Sequence, residues 1–441
     1  SQSPETNAFV HMMKQSQQVF SVKEPLRQRF HLHCDGHVTW TDTNDPSPDR
    51  SWSSTVLLKG SRMLRRESTG TSVGQPRDVE LTISSSIPSE KSSKRLVTRH
   101  SRLSVPVLKS ILQKSVRRRR PLPAVRVAME LMDKATGEIL RRLPIIILED
   151  SSLHPDFPLL VWTMVAESKD YVVPPQLITR IMCTVYEMAS CPWTDYIHDD
   201  EANHMKSSEP ILLSSSIPIC EAFNAKKSDE CEVLIRSILL RAEYGGMTGD
   251  MKMLHDYSRL WKERFVQNNV PLEVIQRAKP NKNSQDQVFW IDIPTAIHQR
   301  QKLQSATHVE PLVQRKLEKL TLQDICLAGV DFHCSSVLDQ AIRDDSDYER
   351  CYESLCAIAV RAGLSPLPAS QDRQRSHMMH VMKSCMWKFS SSVNHRRPLV
   401  GENVTKPTDG KEAALKRFWD ETLATSVDKY MKQYVGDRLA R

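Results

Sequence analysis

Two long apolar segments separated by a short loop constrain the fold of this chain more than any other feature. Residues 158–168 are apolar on almost every side, and residues 175–190 carry an apolar stripe at helical spacing. A helix that is apolar all round belongs in a core, and a short connection places successive helices antiparallel. Asp156 is placed to cap the first helix. The sequence therefore predicts a compact helical bundle around this pair.

Helical patterns recur on both sides of the pair. An amphipathic helix starts near Pro123, and a capping box of Ser346 and Glu349 opens a helix further along the chain. Only 13 Gly, against 17 Met and few aromatic residues, favour helices over a β-sandwich. We therefore predict a mainly α fold, made of multi-helix bundle domains with a largely irregular N-terminal region. Further helices are predicted for residues 228–244, 248–265, 374–389 and 411–434.

Composition divides the chain into four regions. Residues 1–100 are rich in Ser, Thr, Asn, Asp and Pro, above all from Glu67 to Arg95, and are predicted to be irregular or disordered. Within them Arg29–Trp40 and Ser53–Leu58 have strand character and predict a small hairpin. Residues 101–196 form a helical domain with a basic entrance, residues 197–365 a second helical domain with insertions, and residues 366–441 a C-terminal helical extension. The chain begins with Ser, as expected of a processed or partial chain.

The positive charge is concentrated in one block. The net charge is +8, yet Lys91 to Arg126 contains twelve Lys and Arg and no Asp or Glu. Such a block is typical of proteins that contact a polyanion, nucleic acid first. The alternative is a solvated basic linker or a nuclear-import signal. The predicted nucleic-acid-binding residues are Lys109, Lys114, Arg117, Arg118, Arg119, Arg120 and Arg126.

A cluster of histidines near the N-terminus contains good zinc ligands. His31, His33, Cys34 and His37 lie within seven residues. Alternation along a strand directs Cys34 away from His31 and His33, and no second Cys/His pair follows at the spacing of a zinc finger. A polar cluster without metal is therefore favoured.

Two further patterns have alternative catalytic or phosphate-binding interpretations. Glu149, Asp150 and His154 can supply acid–base chemistry, but a loop before a helix has structural uses for all three. The glycine cluster at residues 244–249 lacks the Lys-Ser/Thr of a P-loop, which favours a tight turn between helices. No catalytic residue, metal or cofactor is predicted, and enzymatic activity is the less favoured interpretation.

The order of features in residues 109–196 supports one family resemblance. Lys114–Arg117 is followed by Pro121 and by Arg141–Leu143. Ile146, Glu149 and Asp150 come next, and Ala189–Pro192 ends the region. This order resembles the C-terminal helical region of the RarA/MgsA family, AAA+ ATPases of the clamp-loader clade that include the Werner-helicase-interacting proteins. The family's ATPase core has no counterpart upstream, since no Walker A motif is present. The resemblance implies an oligomerising, DNA-proximal module without ATP hydrolysis, or an ATPase on sequence that precedes this chain.

Two hypotheses of function follow from these observations. The first is a non-enzymatic nucleic-acid-associated protein, an accessory factor of DNA replication or repair. The second is a structural or scaffold subunit of a larger complex, in which the basic block is a localisation signal or a docking surface for an acidic partner. Protein partners or further copies of the chain are the alternative to nucleic acid as partners. Scattered cysteines and the lack of an apolar run of bilayer length predict an intracellular protein of nucleus, cytoplasm or an organelle, without a membrane partner.

Overall fold

The computed structural model describes most of the helical chain and part of the N-terminal region. The described residues are 24–42, 49–59, 77–92, 96, 100–195, 211, 213, 228–267, 335–362, 370–398 and 410–439. Helices dominate these residues, so the predicted mainly α fold is confirmed.

Four strands form a small sheet in the N-terminal region: β1 (Leu26–Leu32), β2 (Val38–Asp42), β3 (Trp52–Leu58) and β4 (Val79–Ser85). The order is β2-β1-β4-β3, with β1 parallel to β4 and the other pairs antiparallel. Arg29–Trp40 and Ser53–Leu58 both contain strands, as predicted, but the predicted hairpin between them is wrong: β1 pairs with β2 inside the first segment, and β3 pairs with β4. The loop predicted over Glu67–Arg95 is wrong at β4, where alternate apolar residues are buried against the helices.

Both helices of the predicted pair pack on the long helix that precedes them rather than on each other, so the predicted antiparallel packing of the pair is wrong. α1 (Val105–Arg117) and α2 (Pro121–Asp150) pack on each other, and α3 (Phe157–Glu167) and α4 (Pro175–Ser190) follow. The backbone of α2 breaks at Ala135, where φ is −162° and ψ is 69°. Residues 145–148, predicted as a buried strand or a helical turn, belong to the buried C-terminal end of α2.

The core joins α3 to the sheet through aromatic side chains. The Trp162 indole donates to the carbonyl oxygen of Phe30 at 3.1 Å, and the rings of Trp52 and Tyr171 lie edge-on against it, 6.2 and 5.1 Å away between centroids. Trp162 is completely buried. The prediction that residues 158–168 lie in the core is therefore confirmed, and the sheet is part of the same core.

Two further helices cover the other side of α3. After β5 (Trp193–Thr194), α5 (Ser228–Glu243) packs on α3 and on β2, and α6 (Thr248–Gln267) packs on α5. Gly245 and Gly246 link them with φ of +88° and +154°, so the glycine cluster is an interhelical turn, as predicted.

The C-terminal helices pack on one another. They are α7 (Ser335–Arg343), α8 (Asp345–Ala362), α9 (Gln371–Met386), α10 (Gly410–Phe418) and α11 (Ala424–Gly436). α9 continues into a π-helical segment (Trp387–Ser391), another π-helical segment (Trp419–Leu423) joins α10 to α11, and β6 (Arg397–Pro398) pairs with β5. Asp344, not the predicted Ser346, caps α8, since its carboxylate accepts from the Asp347 amide at 3.1 Å. The predicted domain boundary at residue 365 falls inside this group of helices.

Candidate nucleic-acid interface

The basic run at the end of α1 separates into an inward-facing and an outward-facing part. Lys114 and Arg117 lie on the side of α1 that faces α2 and are 3% and 7% exposed. Arg118 and Arg120 are half-buried, and Arg119 is exposed. Lys114 and Arg117 fall on the buried face of α1 by helical periodicity, whereas Arg118–Arg120 follow the end of the helix. The single basic run therefore has two structural roles.

Arg117 is held by two carboxylates at the C-terminal end of α2. Its Nε donates to Asp150, its Nη2 donates to Glu149 Oε1 at 3.2 Å, and its Nη1 donates to the carbonyl oxygen of Ser391 at 2.7 Å. Gln113 donates to the same two carboxylates. Burial raises the pKa of both Glu149 and Asp150, and the charge of Arg117 opposes that shift. Glu149 and Asp150 therefore form a structural ion pair with Arg117.

Lys114 and the segment after α9 complete this network. The Lys114 Nζ donates to the Ser391 hydroxyl at 2.7 Å, and the Asn394 side chain donates to the carbonyl oxygen of Asp150 at 2.9 Å. Two of the predicted nucleic-acid-binding residues, Lys114 and Arg117, are thus buried in contacts within the chain. A cation with its donors directed inward cannot reach phosphate in this conformation, so we remove both from the candidate interface.

Lys109 and Arg126 lie at the margins of the basic block. Lys109 is half-buried and its Nζ lies 2.6 Å from Glu138 Oε2, an ion pair that lowers the pKa of Glu138. Arg126 is half-buried on α2. Since Glu138 neutralises Lys109 locally, Lys109 adds little net positive charge to the surface.

That turn, Arg118–Arg120, is here called the arginine turn, and its backbone is a helix C-cap. The Arg119 amide donates to the Val116 carbonyl at 3.0 Å, and the Arg120 amide donates to the Ser115 carbonyl at 2.8 Å. This pair of bonds is the Schellman motif, whose central residue adopts left-handed backbone and is usually Gly. Here that residue is Arg119, with φ of +56°. The left-handed position is thus occupied by an exposed arginine.

His395 lies beside the arginine turn and is in contact with one of its cations. Arg118 Nη1 lies 2.9 Å from His395 Nε2, and a guanidinium can only donate, so the imidazole accepts and is neutral there. Burial lowers the pKa of His395, and Arg118, Arg396 and Arg119 lower it further. Each of these three charged neighbours is positive. The surface around the arginine turn therefore favours anions.

The basic block alone does not reveal the second half of this surface. Between Arg373 and Pro398 the sequence contains six Lys and Arg, three His and no Asp or Glu. The structure places the end of this segment against the arginine turn. Arg118 donates to the carbonyl oxygen of Ser390 at 2.5 Å, and the His395 amide donates to the carbonyl oxygen of Arg117 at 2.9 Å. A search for long acid-free segments would have found it. Two acid-free segments, whose contacting residues are more than 270 positions apart in the chain, thus meet on one side of the molecule.

The other predicted clusters have structural partners. His31 bonds the hydroxyls of Ser84 and Ser86, and His33 bonds that of Thr39. Within the described ranges no three His, Cys, Asp or Glu side chains are grouped closely enough to hold a metal ion.

His154, the base considered with Glu149 and Asp150, faces a different carboxylate. Its Nε2 lies 2.9 Å from Glu187 Oε2, and its Nδ1 accepts from the Asp156 amide at 3.1 Å. The Glu149–Asp150 pair is occupied by Arg117 and Gln113. The structure therefore gives these three residues separate structural contacts and does not assemble an acid–base site from them.

Comparison of the chain with protein-family models, with curated proteins and with solved structures finds no match in any of the three. Among the helices of the described residues, none combines the length and the apolar character needed to cross a bilayer.

Proposed function

We propose that this protein binds nucleic acid through the arginine turn, without sequence preference and without catalysis, as an accessory factor of an assembly such as the DNA replication or repair machinery. The observation that supports the proposal is the geometry of the turn: Arg119 is exposed at its tip, and Arg118 lies beside it with its Nη1 2.9 Å from His395 Nε2. Phosphate groups are the anions that a multi-arginine surface binds most generally. The resemblance of residues 109–196 to a DNA-proximal helical module remains a prediction and agrees with this function.

The contacts expected at this surface are with the phosphate backbone. Arg119 is exposed at the tip of the turn, and Arg118 and Arg120 flank it. Arginine–phosphate contacts fix position and release counterions, but they read no base edges. Affinity should therefore fall steeply as salt rises and should differ little between sequences.

Replacing Arg119 by Gly separates binding from stability. Gly removes one charge and also relieves the left-handed backbone, which costs an L-residue about 1 kcal/mol. We expect Arg119→Gly to be as stable as the parent chain or more stable, to bind DNA and RNA more weakly, and to have a salt slope smaller by about 1. Fluorescence anisotropy over a salt series and urea unfolding measure the two effects.

The matched control is Arg27→Gln, which removes an exposed arginine from β1 that pairs with Glu80 at 3.4 Å. This variant should keep the affinity and the salt slope. Unchanged affinity and slope in Arg119→Gly would contradict the proposal. That result would favour the scaffold hypothesis, for which Leu122, 41% exposed directly after the arginine turn, offers an apolar contact beside the charge. Co-purification with a protein partner after nuclease treatment would then identify an acidic protein as the ligand.

A further inference from the structure

One face of α9 and its π-helical extension carries a stripe of exposed side chains. Its members, here called the α9 stripe, are spaced by four, three, four and three residues, and each is exposed on the same side of the helix: Arg373, His377, His380, Ser384 and Trp387. The opposite side, with Met378, Met382 and Cys385, is buried. α9 is therefore an amphipathic helix whose outer face combines one arginine with hydrogen-bond donors and aromatic rings.

Trp387 at the end of the stripe is unusual for its exposure. It is 46% exposed, whereas Trp162 and Trp261 are at most 2% exposed. It opens the π-helical segment, and π-helical turns occur frequently at functional sites. A large aromatic ring on the surface, next to a positive patch, is a platform on which a nucleobase can stack.

The same π-helical segment connects the α9 stripe to the arginine turn. The carbonyl oxygen of Trp387 accepts from the Ser392 amide at 2.8 Å, and the carbonyl oxygen of Ser390 accepts from Arg118. Trp387 thus lies within one turn of the backbone that the arginine turn contacts. From Arg373 to Trp387 the stripe extends about 21 Å along the helix.

Two acidic residues of the described chain beside this surface, Glu412 and Glu149, are each paired with a cation. Glu412 lies 2.9 Å from Lys388, which is outside the stripe, and Glu149 is bound by Arg117. No Asp or Glu occurs between Arg373 and Pro398. A polyanion that follows the stripe would therefore meet one arginine and neutral donors along it.

We infer that the α9 stripe and the arginine turn form one track for single-stranded nucleic acid, in which Trp387 stacks on a base and the arginines bind the backbone. The inference rests on the proposed function and narrows its ligand. In a duplex the bases are stacked inside and give an exposed indole no face to contact, whereas a single strand offers unstacked bases. His377 and His380 contribute at least one N–H donor each to phosphate, or a ring to a further base.

The experiment compares an oligothymidylate of about 16 nucleotides with a duplex of equal length, by fluorescence anisotropy on the full chain. We expect Trp387→Ala to weaken single-strand binding by about tenfold or more, to leave duplex binding within about twofold, and to keep the salt slope, because stacking releases no counterions. Trp387→Phe should retain most of the single-strand affinity. Met247→Ala, which truncates a side chain 66% exposed in the turn between α5 and α6, is the control and should change neither.

The outcomes separate this inference from the proposed function. If both ligands bind with equal affinity and Trp387→Ala changes neither, while Arg119→Gly weakens both, the single-strand track is wrong and the phosphate-binding turn stands. If neither ligand binds the parent chain, both proposals fail. If Trp387→Ala and Trp387→Phe lose single-strand affinity equally and circular dichroism shows the parent fold for each, the ring does not act by stacking, and the inference is overturned.

Discussion

At the scale of the residue, the hydrogen bonds of His31 in the sheet determine its protonation state. The Ser86 hydroxyl donates to the carbonyl oxygen of Asp49 at 2.8 Å, so it can only accept from His31 Nε2. The Ser84 hydroxyl then donates to Nδ1 at 2.9 Å. This network requires a neutral imidazole. Burial lowers the pKa of His31 to about 4, and His33, Arg29 and Arg50 add to the shift.

Because the folded pKa of His31 lies below its ordinary value of 6.5, His31 stabilises the fold when it is neutral. That stabilisation is complete above about pH 6.5 and is lost as the pH falls towards 4, by up to about 3 kcal/mol. We expect the free energy of unfolding to fall over this window and to fall less in His31→Gln, which has no such titration. Urea unfolding at a series of pH values measures the difference. Parallel curves for the two proteins would contradict it.

At the scale of the element, one arginine connects the β1–β2 turn to the helical pair. Arg180 of α4 donates to both carboxylate oxygens of Asp156, at 2.8 and 3.3 Å, and to the carbonyl oxygen of Asp35 at 3.2 Å. Asp156 precedes α3 and makes no capping bond to the amides of that helix, contrary to the sequence prediction. Its acceptors are occupied by Arg180 and Thr184 instead. A tertiary ion pair has replaced the local cap.

Gly36 makes room for this arginine. Its φ is +83°, and a Cβ at that position would lie 1.9 Å from Arg180 Nη1. We expect Gly36→Ala to lower the free energy of unfolding by about 1–3 kcal/mol, because the left-handed backbone disfavours Ala and the buried guanidinium must move. Gly249→Ala is the control: no atom lies within 4 Å of its Cβ, and Ala is the better helix former there, so stability should stay equal or rise. Thermal unfolding of the two variants provides the comparison. A Gly36→Ala variant as stable as Gly249→Ala would show that the close approach has no energetic weight.

At the scale of the whole molecule, the network around Arg117 joins parts of the chain that are far apart in sequence. It contains the end of α1, the end of α2 and the segment that follows α9. Arg396 reinforces it by donating to the carbonyl oxygens of Val116 and Met188. Removing one member of a buried ion pair leaves an uncompensated charge, which costs more than the pair contributes.

We therefore expect Arg117→Met to lower the free energy of unfolding by about 3–5 kcal/mol, since Asp150 is left buried beside one remaining neutral donor, Gln113. The double variant Arg117→Met/Asp150→Leu should recover a large part of this loss, because both charges are gone. Arg119→Gly, two residues away in the same basic run, should show no loss. A loss in Arg119→Gly as large as that in Arg117→Met would mean that the run is not divided into buried and exposed cations.

Local sequence patterns, taken segment by segment, were sufficient to predict most helices and the buried position of residues 158–168. Helical periodicity and the residues that begin and end helices are local properties of the sequence. A segment as apolar as residues 158–168 is not stable on a surface exposed to water. The turn at Gly245 and Gly246 was predictable for the same reason. β4 was missed because its short alternation of apolar residues lies among polar residues that also suit a loop.

The sequence by itself determined the mainly helical class, the two helices at residues 158–168 and 175–190, and the block of concentrated positive charge. Only the tertiary structure decided which cations are structural, because Lys114 and Arg119 belong to one basic run, but Lys114 is buried on α1 and Arg119 is exposed in the turn that follows it. It also decided that Asp156 binds Arg180 and that the segment after Arg373 meets the arginine turn. Such partners come from distant parts of the chain, and local spacing carries no information about which distant groups the packing of the core brings together.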